Sequence, residues 1–244
     1  MTMPELWGCQ GVVFDTDGVI TDSARAHAAA WKEAFDAVPG VDPPFDMIDE
    51  YRRHVDGRSR LDGAAAFLAA RGLDLPMGEP DDPPGTGTVH AVAARKEELF
   101  RRVLDEEGVD VYPGTVRLLL ALHGARVPCA AISSSRHARE LLSRAGVRSL
   151  LQTVVDGNDV ARLGLPGKPD PALFVEAARR LLVPVESAAV VEDALAGVEA
   201  GRRGGFGLVV GVDRTDTPTS ANDLRRRGAD LVVGDLGELL GARR

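Results

Sequence analysis

The apolar run Val12-Val13-Phe14 stops abruptly at Asp15-Thr16-Asp17-Gly18. A short β-favouring run ending in two carboxylates one residue apart predicts a buried strand with paired acids at its C-terminal end. In a doubly wound α/β fold, that end of the sheet is where ligands bind. Two carboxylates this close repel, and each raises the other's proton affinity unless a cation or a shared proton relieves them. The pair therefore points to a metal site, a proton-transfer site or both. An isolated Asp-x-Asp-Gly would be only a solvated turn, so the rest of the chain has to decide.

Further apolar runs at 127–132, 153–155, 188–191, 206–212 and 231–233 alternate with helical patterns at 115–123, 136–145, 172–182 and 194–202. Strands alternating with helices of this length predict the α/β class, a doubly wound parallel sheet forming a Rossmann-like core. The stretch after the first strand is different, because residues 24–106 contain no convincing strand. Ser23 is the expected N-cap of an alanine-rich helix running to Val38 and stopped by Pro39-Gly40. Residues 41–75 are expected to continue helically, with Met47, Ile48 and Tyr51 and then Leu61, Ala65 and Leu68 at helical spacing. PMGEPDDPPGTG at 76–87 reads as a loop, and a last helix spans about 89–107. The expected organisation is a core of residues 1–22 and 107–244 with an inserted all-helical cap domain, 23–106.

The polar candidates obey one rule. Asp15 and Asp17, Ser133, and Glu192-Asp193 each follow an apolar strand directly, and Lys168 lies in the turn LGLPGKPDP after another. In a parallel sheet those positions share one edge. Carboxylates such as Asp15, Asp193 and Glu192 suit a hard, oxygen-seeking cation, and Mg²⁺ is the usual one where a phosphate shares it. A serine hydroxyl, helix N-terminal amides and a lysine suit a phosphoryl group. An aspartate can act as nucleophile, and a second one nearby can move the proton.

A formal net charge of −8 argues against nucleic acid as a partner, since phosphate backbones require clustered cations. The run Arg225-Arg226-Arg227 reads as a solvated helix face. No apolar stretch approaches the ~18 residues of a membrane span. The N-terminus lacks the basic start and apolar run of a signal peptide, so a cytoplasmic location is expected; separately, a monomer is expected. Cys9 and Cys129 sit at or in strand-like runs and read as buried thiols.

Taken together, these residues resemble the haloacid dehalogenase superfamily of phosphotransferases. The resemblance implies Asp15 as nucleophile, Asp17 as general acid/base, and Ser133 and Lys168 holding the transferring phosphate. It implies Mg²⁺ bound by Asp15, the carbonyl of Asp17 and Asp193, with Glu192 close by. DGVITDSARAHAAAWK further resembles the β-phosphoglucomutase family, which interconverts β-glucose 1-phosphate and glucose 6-phosphate. In that family the counterpart of His27 links cap closure to the acid/base, and Trp31 follows it as here. VDGRSRLDG, with Gly57 and Arg60, resembles the family's specificity loop, in which the arginine grips the distal phosphate; Lys96 matches a cap lysine. Ser134 and His137 complete the substrate-binding candidates. The implied activity is a phosphosugar mutase acting through an aspartyl-phosphate and a sugar bisphosphate, with a sugar-phosphate phosphatase as the alternative. The chain departs from the family at Thr16, usually apolar, at His137 and Glu97, where asparagines are usual, and at Gly63 and Asp56, which replace a serine and a lysine. His54, His90 and His123 read as structural or exposed.

Overall fold

The computed structural model describes residues 6–215, 217 and 219–242. The chain divides into two compact units, one formed by 1–22 with 110–244 and the other by 23–109.

The first unit is built on six parallel strands: β1 Gly11–Asp15, β2 Cys129–Ile132, β3 Thr153–Val155, β4 Ala188–Glu192, β5 Leu208–Val212 and β6 Leu231–Val233, in the order β3-β2-β1-β4-β5-β6. The chain winds outward from β1 in one direction and then restarts on β1's other side with β4. That reversal opens a crevice at the carboxyl ends of β1 and β4. Register places the acids there, because Phe14 pairs with Val191, which sets Asp15 level with Glu192. All five residues of β1 and of β4 are buried. Continuous apolar runs in these strands follow from helices covering both faces.

On one face lie α4 Pro113–Gly124 and α5 Ala138–Arg144, whose Leu118, Leu122 and Leu142 pack with Val12 and Phe14. On the other lie α7 Ala172–Leu181, α8 Leu195–Arg203 and α9 Ser220–Arg227, packing Phe174, Val198 and Leu224 with Val13 and Val190. Phe14 is fully buried one residue before Asp15. Its replacement by Ala is expected to cost about 3–5 kcal/mol, read by urea unfolding of the whole protein. Arg225, Arg226 and Arg227 face solvent on α9. The two cysteines are free; burial pushes the Cys129 thiol up to about 12, while Cys9 is half-buried.

The second unit contains α1 Ala24–Asp36, α2 Arg60–Ala70 and α3 Val89–Glu107, and no strand among its described residues. Its core is aromatic: Phe35 lies 4.0 Å from Phe67 and 4.7 Å from Trp31, centroid to centroid. Two expectations fail here. Residues 41–48 form no regular helix, because Pro43 and Pro44 remove backbone donors and push their predecessors out of helical geometry. Only a π-helical turn, Tyr51–Val55, precedes α2. Ser23 precedes α1 with helical backbone angles and makes no side-chain cap, whereas Ser59 and Thr88 do cap α2 and α3. Elsewhere the surprise is α6, Gly157–Leu163, which begins on a reciprocal Asp156/Asp159 capping box. Of the histidines outside the candidate site, His123 is exposed, and His54 and His90 are half-buried.

Candidate active site

Within the first unit, four segments bring Asp15, Asp17, Ser133, Lys168, Glu192 and Asp193 to one edge of the sheet. Lys168 is the link. Its buried Nζ donates to Asp15 Oδ1 at 2.5 Å and to Glu192 Oε1 at 2.6 Å. Burial disfavours the ammonium, but the Asp15 and Glu192 carboxylates more than offset this and hold its pKa above the usual lysine value. Burial pushes the Asp15 carboxyl well up; Lys168 opposes the rise, and the negative charges of Glu192 and Asp17 add to it. An ammonium offers three donors. Two are spent on carboxylates, which leaves one for an incoming anion.

Oxygens of Asp15, Glu192 and Asp193 lie within 4.8 Å of one another. These hard donors carry more negative charge than Lys168 alone balances, and a divalent cation such as Mg²⁺ fits that set. The Asp17 carboxylate is not part of it, since its Oδ2 instead accepts from the Ser133 hydroxyl at 3.0 Å. Ser133 Oγ in turn accepts from Ser135 N at 2.9 Å, which fixes the hydroxyl's direction.

Two glycines make the crowding possible. A Cβ on Gly18 would sit 1.8 Å from Asp193 Oδ2, and Gly18 also has φ +79, a conformation that costs other residues dearly. A Cβ on Gly197 would sit 1.6 Å from Glu192 Oε1. Gly197 lies in α8, where helix propensity alone favours Ala by about 1 kcal/mol. The overlap must win, because it drives a methyl into a buried, hydrogen-bonded carboxylate. Gly197→Ala is expected to lower kcat/KM about 100-fold, measured at saturating Mg²⁺. Glu192 has little room to yield, since its Oε2 accepts from the amides of Asp193 (2.7 Å) and Ala194 (3.3 Å).

Thr16, the unexpected polar residue between the aspartates, is fully buried and donates to the Ile132 carbonyl at 2.8 Å, so β1 stays tied to β2 at the site. Ser134 and His137 share the Ser133 loop, and His137 Nδ1 lies 3.9 Å from Glu140. That loop is braced from α6: Gly157 N donates to Ser135 O at 3.0 Å, and a side chain at 157 would strike Ser134 O.

The cap candidates fall into separate clusters of the second unit. Lys96, buried on α3, donates to His27 Nδ1 at 2.7 Å. A donor-only ammonium requires Nδ1 to accept, which places the imidazole proton on Nε2. The His27 ring stacks on Phe100 at 3.9 Å. Trp31 is buried in the aromatic core and faces Lys96 at 5.6 Å. Gly57 takes a left-handed φ of +71 in the turn before α2. Arg60 is ion-paired with Glu97, which also approaches Arg101 at 3.6 Å. The sequence reading missed Gly197 as space-maker and Glu97 as the partner of Arg60.

A family model described as haloacid dehalogenase-like hydrolase matches residues 9–205. The chain is similar to a β-phosphoglucomutase of Mycobacterium bovis, 42% identical over 93% of this chain and 90% of the relative. It is also similar to a β-phosphoglucomutase of Bacillus subtilis, 30% identical over 94% of each. A crystal structure of a β-phosphoglucomutase from Clostridium difficile shares the fold, with a TM-score of 0.74, 24% identity, and 95% and 93% of the two chains covered. These likenesses, with a site of paired aspartates, lysine and acidic cluster, identify an enzyme of the phosphotransferase or phosphatase type. The chain belongs to the haloacid dehalogenase superfamily, in its β-phosphoglucomutase-like family.

Proposed function

We propose that the protein is a Mg²⁺-dependent phosphosugar mutase interconverting β-glucose 1-phosphate and glucose 6-phosphate through an aspartyl-phosphate at Asp15 and a sugar bisphosphate. The observation that carries this reading is Lys168 bridging the buried Asp15 and Glu192 in a chain 42% identical to a β-phosphoglucomutase.

Starting from the phosphoenzyme, the free sugar hydroxyl attacks phosphorus, the P–O bond to Asp15 breaks, and Asp17 takes the hydroxyl proton. The bisphosphate then presents its other phosphate. An Asp15 oxygen attacks that phosphorus, the P–O bond to the sugar breaks, and Asp17 returns its proton to the leaving oxygen. Lys168 and Ser133 hold the transferring group, so the Ser133–Asp17 hydrogen bond of this structure must open when phosphate arrives. Asp15, the Asp17 carbonyl, Asp193 and Glu192 are the residues that would hold Mg²⁺, which when bound supplies charge neutralisation for the phosphoryl oxygens. Arg60 would take the distal phosphate in exchange for Glu97, with Gly57 shaping its loop. His27, held by Lys96, would work with the acid/base, while Trp31 packs. Ser134 and His137 would line the phosphate.

Hydrolysis is the second reading, and the matched family description favours it. The same residues would serve, with water as the acceptor. The protein mixed with Mg²⁺, β-glucose 1-phosphate and trace bisphosphate is expected to accumulate glucose 6-phosphate with little inorganic phosphate. Inorganic phosphate and free glucose in equal amounts would overturn the mutase in favour of the phosphatase.

A further inference from the structure

Arg214 lies two residues beyond β5, in a segment that contributes nothing to the acidic cluster. Its Nε donates to the Gly18 carbonyl at 2.7 Å, its Nη2 to the Val19 carbonyl at 3.4 Å and its Nη1 to the Gly234 carbonyl at 3.3 Å. The guanidinium carbon sits 3.5 Å from the centroid of the Tyr112 ring. Tyr112 is itself fixed, its hydroxyl donating to Asp22 Oδ1 at 2.9 Å and its amide to the Ile20 carbonyl at 3.1 Å. Among the described residues, Arg214 has no carboxylate at ion-pair distance. A half-buried cation spent entirely on backbone carbonyls and a ring is an unusual use of arginine, whose planar fork normally meets an acid.

What the fork grips explains the expense. Gly18 follows Asp17 directly, has a left-handed φ, and has no side chain of its own to anchor it. The Asp17 carboxylate is steered on one side by Ser133, and Arg214 pins the backbone on the other. Thr115, through its hydroxyl, also donates to the Val19 carbonyl at 2.7 Å, so the turn after Asp17 is held from two further elements. From this geometry we infer that Arg214 is a positioning residue for proton transfer by Asp17, acting through the Gly18–Val19 carbonyls with Tyr112 as its platform. The inference rests on the acid/base role proposed for Asp17.

Leaving-group dependence separates positioning from mere stability. A sugar oxygen departs as a poor leaving group and needs a proton, whereas p-nitrophenolate departs without one. The protein with Mg²⁺ would be assayed in steady state on a hexose phosphate and, by rapid mixing, for the first-turnover release of p-nitrophenolate from p-nitrophenyl phosphate. Arg214→Met is expected to lower kcat on the hexose phosphate about 30-fold with KM little changed, and the rate of the first-turnover p-nitrophenolate burst, which precedes any need for Asp17 as base, by about twofold or less. Arg214→Lys, which can still donate to one carbonyl, is expected to recover part of the loss. Asp17→Asn is the benchmark and should show the same bias more strongly. Equal losses on both substrates, or wild-type rates in Arg214→Met, would overturn the positioning role while leaving Asp17's intact. An Asp17→Asn variant without the bias would overturn both.

Discussion

Asp15→Asn is expected to abolish turnover, a fall of about 10⁴-fold or more, as for residues that act as one unit with their neighbours. The amide nearly matches the carboxylate in size but cannot attack phosphorus to form an acyl phosphate. It also withdraws one negative charge from a cluster in which Lys168 donates to both Asp15 and Glu192. Lys168 would keep Glu192 as its buried partner, so the variant should remain folded. Steady-state kinetics read the loss, and a melting temperature close to wild type shows that the loss is chemical. Substantial retained activity would remove Asp15 from the nucleophile's role.

Lys168→Met should be nearly as damaging, and for two separate reasons. The variant loses the cation that would hold the transferring phosphate, for which a fall in kcat of about 10³-fold is expected. It also leaves Asp15 and Glu192, both buried, facing each other without their shared ammonium. Removing one partner of a buried ion pair costs about 3–5 kcal/mol, because the remaining charge stays desolvated. Urea unfolding would read that cost. Asp15→Asn combined with Lys168→Met should be less destabilising than the two single changes summed, since Asp15→Asn removes one of the two buried carboxylates that Lys168→Met strands. Strict additivity would mean that the lysine and the aspartate do not interact as the geometry shows.

The architecture was legible because each strand is a short apolar run, and those that line the site end in a polar residue at the same edge. Asp15, Ser133 and Glu192 could be placed by that rule without knowledge of the sheet order, which the parallel topology then supplied. Elements without an apolar run were harder to read. α6 begins at a glycine, and its start is encoded by the Asp156/Asp159 capping box rather than by periodicity. Residues 41–48 carry apolar residues that fit a helical spacing, but two prolines decide the backbone. Gly197 sits inside an ordinary helical pattern, and only the tight turn from β4 into α8, which folds the Glu192 side chain back against the helix, shows why no side chain fits there. Arg60 and Glu97 are 37 residues apart, and nothing local announces their pairing. Arg214 could have been found by the rule used for the other site residues, being a polar residue just beyond an apolar strand. Its targets are backbone carbonyls, which no side-chain pattern reveals.

The most direct measurement is of the covalent intermediate itself. The protein would be mixed with Mg²⁺ and acetyl phosphate, quenched in acid within the turnover time, and digested for peptide mass spectrometry. One alkali-labile phosphoryl group on the peptide carrying Asp15, absent when Mg²⁺ is withheld, is the predicted result. A phosphoryl group on any other residue, or none on Asp15 while turnover proceeds, would contradict the assignment of this site.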